Sequence, residues 1–194
     1  MIYFSVCDQD EVDLVLVLDF SESIGVKQFA QVKNYVKNFL KPADIDGGKV
    51  RVGIEVFSTF NEVAFNLNNF TSKADIFKAI NTLQYIGQGT YTASALKTMR
   101  DMFTVANGDR PNVGNVALVI TDGASYDNAV PEADAARADG IHIYAIGVGR
   151  MADTAELEAI ANKPSMKNVF KVNNYRSLKN LKNEVYAAVC GKCM

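Results

Sequence analysis

The chain has 194 residues, of which 48% are hydrophobic and 22% are charged, and its formal net charge is -2. This size and composition fit one domain, which we expect to span residues 1–194 with its core at 13–189 and short cysteine-bearing tails. The balanced charge argues against nucleic acid as a partner, because nucleic-acid binding requires a basic patch. No apolar run approaches the roughly 18 residues of a membrane span, so none is predicted in this segment.

Strand and helix patterns alternate along the chain. Continuous or alternating apolar residues predict six strands, at 13–18, 49–57, 62–67, 115–120, 141–148 and 169–172. Apolar stripes at helical spacing predict six helices, at 25–40, 72–83, 91–103, 128–139, 153–161 and 175–189. This order is typical of an α/β fold with a doubly wound, mostly parallel six-stranded sheet and helices on both faces.

For two strands of this sheet, the sequence also predicts the pairing direction or the direction of the side chains. The loop at 58–61 is short enough for a hairpin, so the third strand is predicted to pair antiparallel at the edge of the sheet. The second strand alternates, which predicts that Arg51 and Glu55 point away from the main core.

Oxygen-bearing side chains follow or precede the predicted elements in three loops. Asp19, Ser21 and Ser23 come directly after the first apolar strand, Thr90 precedes a helix, and Asp122 follows the fourth strand. In open α/β sheets such loops converge at the carboxyl ends of the strands. Hard oxygen ligands suit Mg²⁺, Mn²⁺ or Ca²⁺ rather than zinc. We therefore predict a divalent-metal site with one coordination position left for an outside oxygen.

These motifs resemble the metal-ion-dependent adhesion site of the von Willebrand factor A family. The resemblance covers 13–189, and the segments that carry it are Asp19-x-Ser21-x-Ser23, Gly89-Thr90-Tyr91-Thr92, Ile120-Thr121-Asp122-Gly123, the Ile-Gly-Val-Gly run at 146–149 and the terminal cysteines. It implies a Rossmann-like fold and a site for Mg²⁺, with Mn²⁺ or Ca²⁺ as alternatives.

The resemblance also implies a role for each ligand. Asp19, Ser21 and Ser23 would hold the metal from the first loop. Thr90 would join directly or through water, and Asp122 would act directly or by orienting another ligand. An Asp or Glu carboxylate of an extracellular matrix or cell-surface protein, collagen included, would complete the coordination.

The rim of the site departs from the family pattern at one position. The family usually has glycine between the two serines, and this chain has Glu22. Its carboxylate could repel an acidic partner or fill the open metal position. Tyr91 and Tyr126 flank the metal loops and could either line a binding face or pack locally.

The cysteines lie near the two ends of the chain, at Cys7, Cys190 and Cys193. This placement predicts a disulfide from Cys7 to Cys190, with Cys193 as an alternative partner, and a secreted or cell-surface location as a segment of a larger precursor. The cysteine left over could remain free or link chains into a covalent oligomer. Three ordinary thiols are the alternative. Asn69-Phe70-Thr71 is a candidate N-glycosylation site.

Enzymatic motifs are weak. The Gly-x-Gly pairs at 87–89 and 147–149 lack the third glycine of a dinucleotide site, and His142 is the one histidine, so no catalytic residue is predicted. Three functions follow as hypotheses. The first is a metal-dependent adhesion module. The second is a structural matrix module that assembles filaments without metal, and the third is an intracellular scaffold domain or a phosphotransfer enzyme.

Overall fold

A computed structural model describes residues 11–190 of the chain. The strands within this range are β1 (Val12–Asp19), β2 (Val50–Phe57), β3 (Asn61–Phe65), β4 (Gly114–Thr121), β5 (His142–Val148) and β6 (Val169–Val172). The helices are α1 (Gly25–Leu40), α2 (Lys73–Thr82), α3 (Thr92–Met102), α4 (Val130–Ala138), α5 (Thr154–Ile160), α6 (Ser165–Asn168) and α7 (Leu178–Cys190). Short 3-10 turns lie at Val105–Asn107 and Tyr175–Ser177.

The strands form one sheet in the order β3-β2-β1-β4-β5-β6. All neighbours pair in parallel except β3, which pairs antiparallel with β2 at the edge. This confirms the predicted fold class. The progression of strands reverses between β1 and β4, and such a reversal opens a crevice at the carboxyl ends of the two strands.

The central strand β1 is buried on both faces. Leu14, Leu16 and Leu18 belong to a core cluster with side chains of α1, α2 and α7, whereas Val15 and Val17 belong to a second cluster with side chains of α3, α4 and α5. A strand covered by helices on both faces reads as an unbroken apolar run, which explains the sequence of β1.

Glu55 on β2 is a carboxyl group buried in the second core of the sheet. It points away from the larger core cluster, as predicted, but its side chain is 0% exposed, because the second face of the sheet is covered as well. Neither carboxyl oxygen has a hydrogen-bond partner among the described residues. Burial raises the pKa of Glu55 to about 9. Alternation on this strand therefore does not indicate a solvent-facing side.

Local sequence signals explain where two of the helices begin or end. Ser72 caps α2 by accepting a hydrogen bond from the Asp75 amide, and its hydroxyl donates to the Asp75 carboxylate at 2.7 Å. Gly140 ends α4 with a φ of +85°, which only glycine adopts without strain. The short helix α6 and the turn at Val105–Asn107 were not predicted, because three or four residues carry too little periodicity.

Some predictions concern residues beyond this description. Cys7, Cys193 and the side chain of Cys190 lie outside it, so the disulfide and the covalent oligomer stay predictions. Asn69 lies exposed in the loop before α2, and its side-chain oxygen accepts a hydrogen bond from the Asn66 amide. Between residues 11 and 190, no helix has both the length and the hydropathy to cross a bilayer.

Candidate metal centre

The five predicted ligands lie together at the carboxyl ends of β1 and β4. Asp19 is the last residue of β1, and its Oδ1 accepts a hydrogen bond from the Ser21 amide at 2.8 Å. The hydroxyl oxygens of Ser21 and Ser23 are 3.0 Å apart. Ser23 Oγ donates to Oδ1 of Asp122 at 2.6 Å. One chain of hydrogen bonds therefore connects ligands that are about 100 residues apart in sequence.

Thr90 joins this group from the loop before α3. Its side chain is 6% exposed and lies against Gly123, where an added Cβ would be 3.7 Å from Thr90 Oγ1. The carbonyl of Thr90 accepts from the Tyr126 amide at 2.8 Å. The loop that follows β4 thus holds the Thr90 loop in place.

The centre contains two carboxylates, and both are buried. Asp19 is 1% exposed and Asp122 is 8% exposed. Burial raises the pKa of Asp19 to about 6, and the nearby Asp122 charge adds to this rise, whereas hydrogen bonds from Thr121 and Ser21 oppose it. Neither carboxylate forms a salt bridge within residues 11–190. Two buried carboxylates without a basic partner make a favourable position for a cation.

The donor set determines which cation fits. Two carboxylates and three hydroxyls are hard oxygen donors, which suit Mg²⁺, Mn²⁺ and Ca²⁺. The described residues contain no cluster of three or more His, Cys, Asp and Glu side chains that could hold a metal. The centre thus relies on hydroxyls, and it lacks the nitrogen and sulfur ligands of a typical zinc site.

Two further residues hold the first loop, and neither was assigned a role from sequence. Thr121 donates from Oγ1 to Oδ2 of Asp19 at 2.6 Å. The Tyr85 hydroxyl accepts from the Gly25 amide at 3.2 Å and lies 3.3 Å and 3.2 Å from the carbonyls of Ser21 and Glu22. Thr121 was within a recognised motif, whereas Tyr85 gave no local signal, because its partners are about 60 residues away.

The start of α3 depends on another residue that sequence reasoning missed. The Asp127 carboxylate accepts from the amides of Ala93 at 2.9 Å and Ser94 at 3.2 Å, in the first turn of the helix that follows Thr90. A carboxylate at a helix N-terminus is stabilised by the free amides and the helix dipole. Asp127 therefore fixes the helix from which the Thr90 loop extends.

A cavity of about 660 Å³ opens over the centre, and the predicted rim residues line it. Glu22 lies exposed at its edge. The rings of Tyr91 and Tyr126 meet edge to face, with centroids 5.7 Å apart, yet Tyr126 stays 74% exposed. The two tyrosines therefore pack on each other and line the cavity, and their role in a binding face stays a prediction.

The comparisons with known proteins agree with this architecture. The model of the von Willebrand factor type A domain matches residues 13–184. The collagen alpha-4(VI) chain of Mus musculus is 35% identical over 184 residues, which cover 95% of this chain and 8% of the collagen chain. Matrilin-2 of Mus musculus is 34% identical over 188 residues, which cover 95% of this chain and 20% of the matrilin. This chain thus spans a small part of these relatives.

A solved structure provides a direct comparison of the fold. Proximal thread matrix protein 1 from the mussel byssus, with its MIDAS motif occupied by zinc, superposes with a TM-score of 0.87 at 28% identity. The match covers 93% of this chain and 48% of the mussel chain.

The relatives also bear on location. Collagen VI chains, matrilins and the byssus protein are extracellular matrix proteins, which confirms the predicted location of this chain. The family match over most of the chain agrees with the strand order and with the convergence of the three loops. The chain therefore belongs to the von Willebrand factor type A domain family.

Proposed function

We propose that this domain is a non-enzymatic, extracellular protein-binding module that acts through a divalent cation held by Asp19, Ser21, Ser23, Thr90 and Asp122. One observation carries the proposal. Two buried carboxylates and three hydroxyls converge at the open end of the sheet, and within residues 11–190 no basic side chain pairs with either carboxylate. A cation from solution would neutralise this charge.

The cation that we propose is Mg²⁺, with Mn²⁺ or Ca²⁺ as alternatives. The support is the all-oxygen donor set, which suits hard cations. The zinc in the MIDAS motif of the mussel protein supports divalent-metal binding by a motif of this type. A bound cation would supply a coordination position for an outside carboxylate oxygen.

The partner that we propose is an extracellular matrix protein that presents an acidic side chain, with a collagen-like chain as the first candidate. The position of the rim supports this. Tyr126 offers exposed aromatic surface beside the centre. Glu22, in contrast, places a carboxylate at the cavity edge. Glu22 would tune affinity by repelling an acidic partner.

Calorimetric titration with Mg²⁺ and Mn²⁺ tests the metal. We expect binding to the wild type, loss of binding in Asp19→Ala, and normal binding in the control Asp101→Ala, which removes an exposed aspartate at the far end of α3. Equal metal affinity of wild type and Asp19→Ala would refute the proposed ligand set.

A triple-helical peptide that carries one glutamate, together with its glutamine counterpart, tests the partner. We expect the glutamate peptide alone to bind, only with metal present, and more tightly to Glu22→Gly. Metal binding without peptide binding would refute the collagen-like partner and leave the metal centre standing.

A further inference from the structure

The 3-10 turn at Tyr175–Ser177 lies at the same edge of the sheet as the metal centre. Strand β6 ends at Val172 and runs parallel to β5, which pairs in parallel with β4, so the chain leaves all three strands at one edge. The turn then contacts α1, the helix that begins two residues after Ser23. The side-chain oxygen of Asn174 fixes the turn by accepting from the Ser177 amide at 3.1 Å. The first residue of the turn is therefore held at the edge where the candidate ligands lie.

The Tyr175 side chain is buried, and its hydroxyl lies near the carboxylates of the metal centre. The residue is 9% exposed. Burial raises the pKa of Tyr175, and the neighbouring carboxylates of Asp122 and Asp19 raise it further. The hydroxyl nevertheless has no partner in hydrogen-bond geometry within residues 11–190. Buried polar groups are normally hydrogen-bonded, so this hydroxyl requires an explanation.

Asp122 carries an open acceptor for this hydroxyl. Its Oδ1 accepts from the Ser23 hydroxyl at 2.6 Å, whereas its Oδ2 accepts no hydrogen bond of standard geometry from the described residues. Asp19 differs, because the Ser21 amide donates to one of its oxygens and the Thr121 hydroxyl to the other. A buried donor and an open acceptor thus lie close together without forming a hydrogen bond.

We propose that Tyr175 is a positioning residue of the metal centre, whose hydroxyl donates to Oδ2 of Asp122 when a cation is bound. This inference rests on the metal binding proposed above. Hydrogen bonds from surrounding groups orient the carboxylates that bind a metal, and their loss typically weakens metal binding by about 10–100-fold. Ser23 already holds Oδ1 of Asp122, so Tyr175 fixes the second oxygen and with it the plane of the carboxylate.

Tyr175→Phe tests the hydroxyl, because it removes that group and keeps the ring. Calorimetric titration with Mg²⁺ should show about tenfold weaker binding than in the wild type. Thermal melts in EDTA should show no loss of stability, because the variant removes a buried polar group that has no partner in the metal-free protein. A role of Tyr175 in packing alone would leave the Mg²⁺ affinity unchanged.

The matched control is Tyr35→Phe on α1. Tyr35 is 4% exposed, and its hydroxyl also has no hydrogen-bond partner within residues 11–190. Burial raises the pKa of Tyr35, but no carboxylate contributes to the rise. The control therefore makes the same chemical change away from the metal centre, and its Mg²⁺ affinity should stay within about twofold of the wild type.

Ultraviolet difference spectra provide a readout of the hydroxyl itself. The chain has 8 tyrosines and no tryptophan, so its near-ultraviolet absorption comes mainly from tyrosine. A new hydrogen bond from the Tyr175 hydroxyl changes the absorption of that ring. We expect the spectral change on addition of saturating Mg²⁺ to be smaller in Tyr175→Phe than in the wild type, and unaltered in Tyr35→Phe.

Four results would overturn the positioning role of Tyr175. They are equal Mg²⁺ affinity in Tyr175→Phe and the wild type, equal weakening in Tyr35→Phe, an undiminished difference spectrum in Tyr175→Phe, and a loss of stability in EDTA as large as the loss of Mg²⁺ binding energy. Each leaves the proposed metal site standing if Asp19→Ala still abolishes binding. Absence of Mg²⁺ binding in the wild type would refute the metal site and this role together.

Discussion

Each end of strand β1 carries a buried aspartate, and the two carboxylates differ in the groups that donate hydrogen bonds to them. Asp13 at the amino end is 0% exposed, and Asp19 at the carboxyl end is 1% exposed. Asp13 receives hydrogen bonds from the Arg110 amide at 2.7 Å and from its Nε at 2.8 Å. Within residues 11–190, Asp19 receives hydrogen bonds from the Thr121 hydroxyl and the Ser21 amide and from no basic side chain.

This difference indicates where each end obtains its positive charge. At the amino end, Arg110 also donates to the carbonyls of Val12, Gly48 and Lys49, so the cation is part of the fold. At the carboxyl end the chain provides oxygen ligands and an opening, which suits a cation from solution. Glu55 is a third case. Among the described residues it has neither a basic partner nor a hydrogen-bond donor, and its raised pKa keeps it protonated.

The largest expected effect tests the amino end. Arg110→Met leaves Asp13 as a buried charge without a partner, and we expect the free energy of unfolding to fall by about 3–5 kcal/mol. Urea denaturation measures the change. The double variant Asp13→Asn/Arg110→Met should recover much of the loss. A free energy of unfolding for Arg110→Met that is less than about 1 kcal/mol below that of the wild type would contradict the role of Arg110 as the partner of the Asp13 charge.

The second prediction concerns the buried carboxyl that has no cation. Burial raises the pKa of Glu55 to about 9 in the folded protein, above its ordinary value of 4.5, so Glu55 in the unfolded chain loses its proton first as the pH rises. Any stability that depends on neutral Glu55 is complete below about pH 4.5 and declines toward pH 9. We therefore expect the free energy of unfolding to fall as the pH rises from about 4.5 toward 9.

Glu55→Gln should remove this slope, and Glu62→Gln, at an exposed position of β3, should keep it. Urea unfolding at several pH values compares the three proteins. Identical pH dependence in all of them would mean that Glu55 is ionised or solvated in the folded state.

The third prediction tests the carboxyl end. Metal at 100 times its Kd should stabilise the wild type by about 2.7 kcal/mol, because the ion binds the folded state alone. Asp19→Ala should lose this increment while keeping its stability in EDTA. Thermal melts with and without Mg²⁺ measure both quantities. An equal metal-induced shift in the variant would show that the ion binds elsewhere.

The smallest effect concerns the residue that holds the first loop. Tyr85→Phe removes the hydroxyl that bonds to the Gly25 amide beside the metal loop, and we expect about fivefold weaker Mg²⁺ binding, equivalent to about 1 kcal/mol. Calorimetry provides the measurement, with Tyr126→Phe as the control on an exposed ring. Equal affinities in the two variants would mean that the loop keeps its shape without Tyr85.

The sequence alone was sufficient for the sheet, its antiparallel edge and the convergence of the five candidate ligands. The reason is physical: apolar periodicity reports which faces are buried, and the carboxyl ends of parallel strands share one edge. The candidate ligands could be located in the sequence because each follows or precedes a strand or helix within a few residues.

Only the tertiary structure decided how the buried charges are compensated. Arg110 is 97 residues from Asp13, and Tyr85 lies about 60 residues from the loop it holds. Glu55 was predicted to point away from the main core, and only the structure shows that the second helical layer buries it. Electrostatic compensation depends on which groups meet in space, and a one-dimensional pattern does not carry that information. The sequence singled out Asp19 as a candidate ligand and assigned Asp13 no role, and the fold pairs Asp13 with Arg110 while it leaves Asp19 without a basic partner among the described residues.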